Sequence, residues 1–208
     1  MDLSSNQIIA MVVGASFAAG LNVYATVATL GLLGQMELLK LPPALDPLTS
    51  WYVIGAAGAL FVVEFFADKI PAFDLVWNAL QTFVRVPVAA LLAYGATTQL
   101  SPGQQLLSTV MASAIAFAAH STKTAVRAAV TPSPEPVSNV ALSLGEDVAA
   151  VGLTWFATAH PYIAATLVLI ALVLSILLLR FIWRALKRSF QGARRQLGAA
   201  WRNASART

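Results

Sequence analysis

Six apolar stretches, each about as long as a bilayer is thick, constrain this chain more than anything else in its sequence. They cover roughly 7–33, 50–67, 75–94, 106–130, 137–159 and 162–183. A hydrocarbon core about 30 Å thick takes about 20 apolar residues at about 1.5 Å each, so each stretch predicts one membrane-spanning helix. Between them stand Pro42, Pro43, Pro71, Pro102, Gly103, Pro132, Pro134, Pro136 and Pro161, residues that interrupt helices and mark short connections. Six spans in 208 residues leave no room for a soluble domain. The expected fold class is an all-α membrane protein: a transmembrane helical bundle over 1–183 and a basic tail over 184–208. The first apolar run follows Asp2 with no base before it and is too long for a signal peptide, so it is read as a retained helix.

Composition removes the competing classes. With 58% hydrophobic and 11% charged residues, too little polar surface is available to wet a soluble globule, and a disordered chain is excluded. The absence of cysteine excludes a disulfide scaffold and a zinc ribbon. Eight of the 13 bases lie between Arg180 and Arg207 with no acid among them, leaving 5 bases against 9 acids in residues 1–179. The loops at 34–49, 98–103 and 160–161 hold one base, Lys40, whereas the other side receives Lys69, Arg127 and the tail. The positive-inside rule then places both termini in the cytoplasm.

An internal similarity appears at an offset of 61 residues. Pro71, Asp74, Asn78, Thr82 and Arg85 fall on Pro132, Glu135, Asn139, Ser143 and Glu146. Spans two and three would then form a hairpin equivalent to spans four and five, related by an axis along the membrane normal. The prolines and acids at these helix starts also fit a re-entrant or broken helix, a geometry tolerated at membrane depth only where it lines protein or water.

Glu64, Arg85, Lys123, Glu146 and Asp147 all lie within expected spans. Leaving five charges in lipid would cost about 15 kcal/mol, so they must face inward or reach water. Helical spacing agrees. Glu64 and Asp68 are four apart; Asp74, Asn78, Thr82 and Arg85 share one face; so do Ser113, His120, Lys123 and Arg127; so do Asn139, Ser143, Glu146 and Thr154. Span one adds Asn22, Thr26 and Thr29, while span six offers almost only Leu, Ile, Val and Ala. A central polar cluster follows, with span six packed outside it. Arg85 and Glu146, equivalent in the repeat, could meet across the axis, and His120, Lys123 and Arg127 could be matched by Glu64 and Asp68. His120, lying among cations, reads as a neutral structural histidine rather than a proton relay. Gly14, Gly20, Gly55 and Gly58 are expected to let helices approach closely. Two histidines without cysteine support no metal site, and no soluble-enzyme motif or cofactor loop is present.

From residue 182 the apolar residues Ile182, Leu186, Phe190, Ala193, Leu197 and Trp201 form one stripe, with cations opposite. This predicts an amphipathic helix that continues from span six and bends onto the inner leaflet. Arg184, Lys187, Arg188, Arg194 and Arg195 would meet anionic lipid there, at about 1 kcal/mol per base. Membrane anchoring accounts for this charge without nucleic acid.

The strings Gly20-Leu21-Asn22-Val23-Tyr24-Ala25-Thr26, Glu64 to Pro71, Thr82 to Arg85, Ala119 to Lys123, Ser133 to Asn139 and Ser143 to Asp147 resemble a bacterial integral-membrane family catalogued only as a domain of unknown function. The resemblance covers about residues 10–161 and implies a polytopic helical protein of a bacterial cytoplasmic membrane. It brings no activity with it.

The leading expectation is a small transporter or channel for an ion or small polar solute. Its path would be lined by Glu64, Asp68, Arg85, His120, Lys123, Arg127, Glu146 and Asp147, with Asn22, Asn78 and Asn139 as uncharged partners. The alternative is a membrane scaffold or lipid-interacting protein in which the charges are structural ion pairs. An intramembrane enzyme using His120 with Glu64 or Glu146 is a third reading. A homo-oligomer is open to so short a chain.

Overall fold

Ser4 and Gln7 open the first helix through a capping box: Ser4 Oγ accepts from the Gln7 amide at 3.4 Å, and Gln7 Oε1 accepts from the Ser4 amide at 2.8 Å. The computed structural model describes residues 4–130 and 136–205, with side chains described for all of these but 71–72, 74–75, 130, 136–139, 186, 189–190 and 192–205. The helices are α1 (Ser5–Leu21), α2 (Val23–Gln35), α3 (Trp51–Ala67), α4 (Pro71–Ala96), α5 (Pro102–Val130), α6 (Pro136–Ala159) and α7 (Pro161–Ser205). A 3-10 segment, Pro43–Thr49, precedes α3 and is bent 64° from it. Among the described residues there is no strand.

Proline punctuation places four helix starts. Pro71, Pro102, Pro136 and Pro161 each open a helix, where a missing amide proton leaves no hydrogen bond unmade. Pro71 begins a continuous helix of 26 residues, so no broken re-entrant segment follows it; Pro132 lies outside the described residues.

Fewer than six helices are by themselves long and apolar enough to cross a membrane. Three stretches, Val76–Ala96, Val140–Ala159 and Pro161–Ala185, are long and apolar enough to cross a membrane, and the bent pair ending in α3 makes a fourth. Two features explain the shortfall. The first apolar run is divided at Asn22 into helices of 17 and 13 residues, each short alone. Helix α5 has the length, at 29 residues, but its polar side chains dilute its apolarity.

Helix α1 is the hub, packing on α4, α5, α6 and α7. Glycine permits this closeness at two points: a Cβ on Gly14 would lie 2.5 Å from the Ala157 Cβ, and one on Gly20 would lie 2.5 Å from the Ala116 carbonyl oxygen. Gly55 and Gly58 behave otherwise than expected, since a Cβ on either meets nothing within 4 Å. Their helix, α3, lies along α2 but touches α4 sparsely, and it exposes Trp51, Tyr52, Val62 and Phe66.

At one end of the bundle Met11, Val12, Leu30, Leu33, Leu92 and Ala93 form an apolar core. Helix α7 is peripheral, as expected: only 17% of Pro161–Ala185 is buried, against 39% of Val76–Ala96. Exposed Leu169, Ile170, Val173, Leu174 and Leu177 give it a surface suited to lipid rather than water. The apolar helices and this surface make the chain a membrane protein. The tail does not break away where the apolar stretch ends, because α7 runs as one helix to Ser205. Arg184, Lys187 and Arg188 on it are exposed; the side chains of Arg194 and Arg195 lie outside the described residues.

Candidate functional site

The break at Asn22 organises the polar interior. Asn22 adopts an extended conformation (φ −152°, ψ 104°), ending α1 and capping α2 through its Oδ1, which accepts from the Ala25 amide at 3.0 Å. A helix end leaves carbonyls without intrahelical partners. Here cations from two other helices supply the donors: Arg85 Nη1 on α4 donates to the Gly20 and Leu21 carbonyls at 2.9 and 2.7 Å, and Lys123 Nζ on α5 donates to Leu21 at 3.2 Å. Positive charge at the negative end of α1 also complements its dipole.

Acids from α3 and α6 close around these cations. The second guanidinium nitrogen of Arg85 pairs with Glu64. Lys123 Nζ reaches Asp68 at 3.0 Å, Glu64 at 3.3 Å and Glu146 at 3.3 Å. Arg127 joins Asp68 at 3.0 Å, donates to the Asp68 carbonyl at 3.0 Å, and meets Glu146 at 2.5 Å. Arg85, Glu64 and Arg127 are fully buried, at 0% exposure. The few contacts of α3 with α4 thus include a buried ion pair, so charge as well as apolar packing positions α3.

Two expected pairings fail. Arg85 does not meet Glu146, because Glu64 projects onto its guanidinium while Glu146 lies beside Arg127 and Lys123. Nor does His120 pair with Glu64, Glu146 or Asp68 among the described residues. Its Nε2 lies 2.9 Å from both the Asn78 carbonyl and Thr82 Oγ1, and its Nδ1 lies 3.1 Å from Arg85 Nη1. Facing a guanidinium donor, Nδ1 must accept, so Nε2 carries the hydrogen and the imidazole is neutral. The structural role expected of His120 fits this geometry. The matching of Lys123 and Arg127 to Glu64 and Asp68 does form.

Asp147 stands apart. Its Oδ1 accepts from Asn22 Nδ2 at 2.9 Å, and its Oδ2 is buried with no partner among the described residues. Beyond it, Thr26 Oγ1 donates to the Asn22 carbonyl at 3.0 Å, and Thr154 Oγ1 lies 3.4 Å from Thr26 Oγ1. Outside the spans, in the turn after α3, Lys69 donates to the Phe65 carbonyl at 2.8 Å; burial lowers its pKa and nearby carboxyl groups oppose that shift.

Asn78 is buried on α4 beside this cluster; the side chain of Asn139 lies outside the described residues. Ser113 is not part of it and bonds its own helix at Thr109. Several buried polar side chains lie outside the expected set; the one beside this cluster on α4 is Gln81, whose Nε2 donates to Tyr24 Oη at 3.1 Å. Its three-residue step from Asn78 put it on the same face, and that spacing was the available signal. Among the described residues no group of three His, Asp or Glu side chains is arranged to hold a metal ion.

No curated protein and no solved structure matches the chain. Residues 9–181 match the model of a family described as a domain of unknown function, DUF4126, and the motifs around Asn22, Glu64, Arg85, Lys123 and Asp147 all fall within that match. By that match the chain belongs to the DUF4126 family.

Proposed function

We propose that the protein is a small transporter or channel for an ion or small polar solute, with its path running past the charged cluster at the break between α1 and α2. The supporting observation is the break itself. Discontinuous helices with paired charges at their ends are how membrane proteins build ion and solute sites, because freed backbone groups and dipole ends face the site instead of lipid. Here the carbonyl end of α1 faces Arg85 and Lys123, and the cap of α2 holds Asp147.

In this reading α1 and α2 together cross the membrane once and α3 to α7 once each, giving six crossings with both termini in the cytoplasm of a bacterial inner membrane. The similarity at offset 61 would make α3–α4 and α5–α6 two copies of a hairpin. The exposed bases of α7 lie against anionic lipid. The test is a flux panel in liposomes: proton flux read with an entrapped pH dye, then sodium, potassium and chloride fluxes. Protein-dependent flux of one species, altered in Glu146→Gln, is the expected result. No protein-dependent flux across the panel, from folded protein, overturns the reading.

A second reading is favoured by the closure of the ion pairs around Lys123 and Arg127, which would serve a scaffold equally well. The charges would then hold the bundle together and the basic end of α7 would recruit a partner. Deleting 184–208 would abolish the cellular role of a scaffold and leave the flux of a transporter intact.

A further inference from the structure

We infer that Asp147 is a proton-binding site, holding a proton on Oδ2 while Oδ1 accepts from the Asn22 amide. Three acids are buried in the bundle, Glu64, Asp68 and Asp147, and a fourth, Glu146, is partly buried beside them. Glu64 is paired with Arg85 and Lys123, Asp68 with Lys123 and Arg127, and Glu146 with Arg127 and Lys123. Asp147 has no ion pair among the described residues; its one partner is the neutral side chain of Asn22. It is 6% exposed, and Oδ2 is buried with no hydrogen-bond partner among the described residues. A buried carboxylate in that setting is strongly disfavoured, and binding a proton removes the charge.

Its surroundings do not offer a replacement counter-ion. The charged groups that face it are Lys123 from α5, Glu64 from α3, and Asp68 and Lys69 from the turn after α3. Lys123 is already engaged by three other carboxylates, and Lys69 is held by the Phe65 carbonyl and ring. Helices α1, α2 and α7, which also pack on α6, bring no charged group to it among the described residues.

A second feature points to the same ligand. One turn before Asp147, Ser143 Oγ is also buried with no partner among the described residues. On the other side, the seam between α2 and α6 continues through Thr26 and Thr154, whose hydroxyls can each accept and donate. Along α6 the carboxyl group thus stands between Ser143 one turn before it and Thr154 two turns after it, while charged groups face it from α3, from the turn after α3 and from α5. This is the setting in which an intramembrane acid exchanges protons.

The inference rests on the pathway reading for its purpose, but its test reads the proton directly. Infrared difference spectra of the full-length protein in liposomes, recorded across a pH titration, report the carbonyl stretch of protonated carboxyl groups. The expected result is a buried carboxylic-acid band that is lost in Asp147→Asn and kept in Glu146→Gln. If Asp147→Asn does not fold, wild-type protein carrying aspartate labelled with carbon-13 at the side-chain carboxyl must still show that band shifted. No such band at any pH where the protein is folded, a band that survives in Asp147→Asn, or one unshifted by the label overturns the inference. A band without any flux in the panel supports the proton site while removing the transporter reading; flux without a band does the reverse.

Discussion

The two ends of this bundle solve the same problem in opposite ways. Where Met11, Val12, Leu30, Leu92 and Ala93 meet, the helices are continuous, satisfy their own backbone bonds and touch through apolar side chains, leaving a cavity of only about 20 Å³. Around Asn22 a helix is interrupted, and its loose carbonyls are taken up by Arg85 and Lys123 from other helices. The apolar end can be filled by any side chains of fitting volume. The charged end holds only if each partner is present, because removing one leaves another buried and unmatched.

That contrast can be broken most severely at Arg85. Arg85→Leu takes from Glu64 one of its two cations, leaving only Lys123 at 3.3 Å, and removes both bonds to the Gly20 and Leu21 carbonyls, and should destabilise the protein by about 3–5 kcal/mol in reversible unfolding from mixed micelles. Adding Glu64→Leu to it should recover part of that loss; no recovery would mean that the bonds to the break, not the ion pair, dominate. At the apolar contacts, Gly14→Val forces a side chain against Ala157 and should cost about 1–3 kcal/mol by the same measurement. A loss as large as that of Arg85→Leu would erase the distinction between the two ends.

Two smaller effects sharpen it. Thr154→Val removes the hydroxyl facing Thr26 across the α2–α6 seam, and a membrane hydrogen bond of this kind contributes on average about 0.6 kcal/mol. Its effect on stability should be slight, while proton flux in the liposome panel should fall. Unchanged flux would detach the seam from the path. Gly58→Ala should change stability least, within about 0.5 kcal/mol, since its Cβ meets nothing within 4 Å; a large loss would show that α3 has a neighbour, such as a second copy of the chain.

The polar cluster was legible because helical periodicity reports which residues share a face, and charges inside an apolar stretch must be inward. Helical spacing singled out Glu64, Asp68, Arg85, Lys123, Arg127, Glu146 and Asp147; the first six meet in one ion-pair network, and Asp147 bonds to Asn22. It could not find their pairing. Arg85 was expected opposite Glu146 from the offset of 61 residues, but similarity between segments says nothing about rotation and depth, which put Glu64 there instead. Gly55 and Gly58 failed for a related reason: a glycine allows close approach only if a neighbouring helix uses it.

The break at Asn22 lies between these cases. Nothing in the apolar run 7–33 forbids a continuous helix, and Asn is only a modest helix former. What interrupts the run is long-range: Arg85 and Lys123 arrive from α4 and α5 to take the carbonyls of Gly20 and Leu21, and Asp147 from α6 holds the Asn22 side chain. The sequence alone determined the membrane class, the inward set of charges and the proline-marked helix starts, because each follows from local composition and spacing. Only the tertiary structure decided which acid meets which base, where the helix gives way and which acid has no cation among the described residues, because those depend on groups from 19 to 125 residues apart meeting at one point.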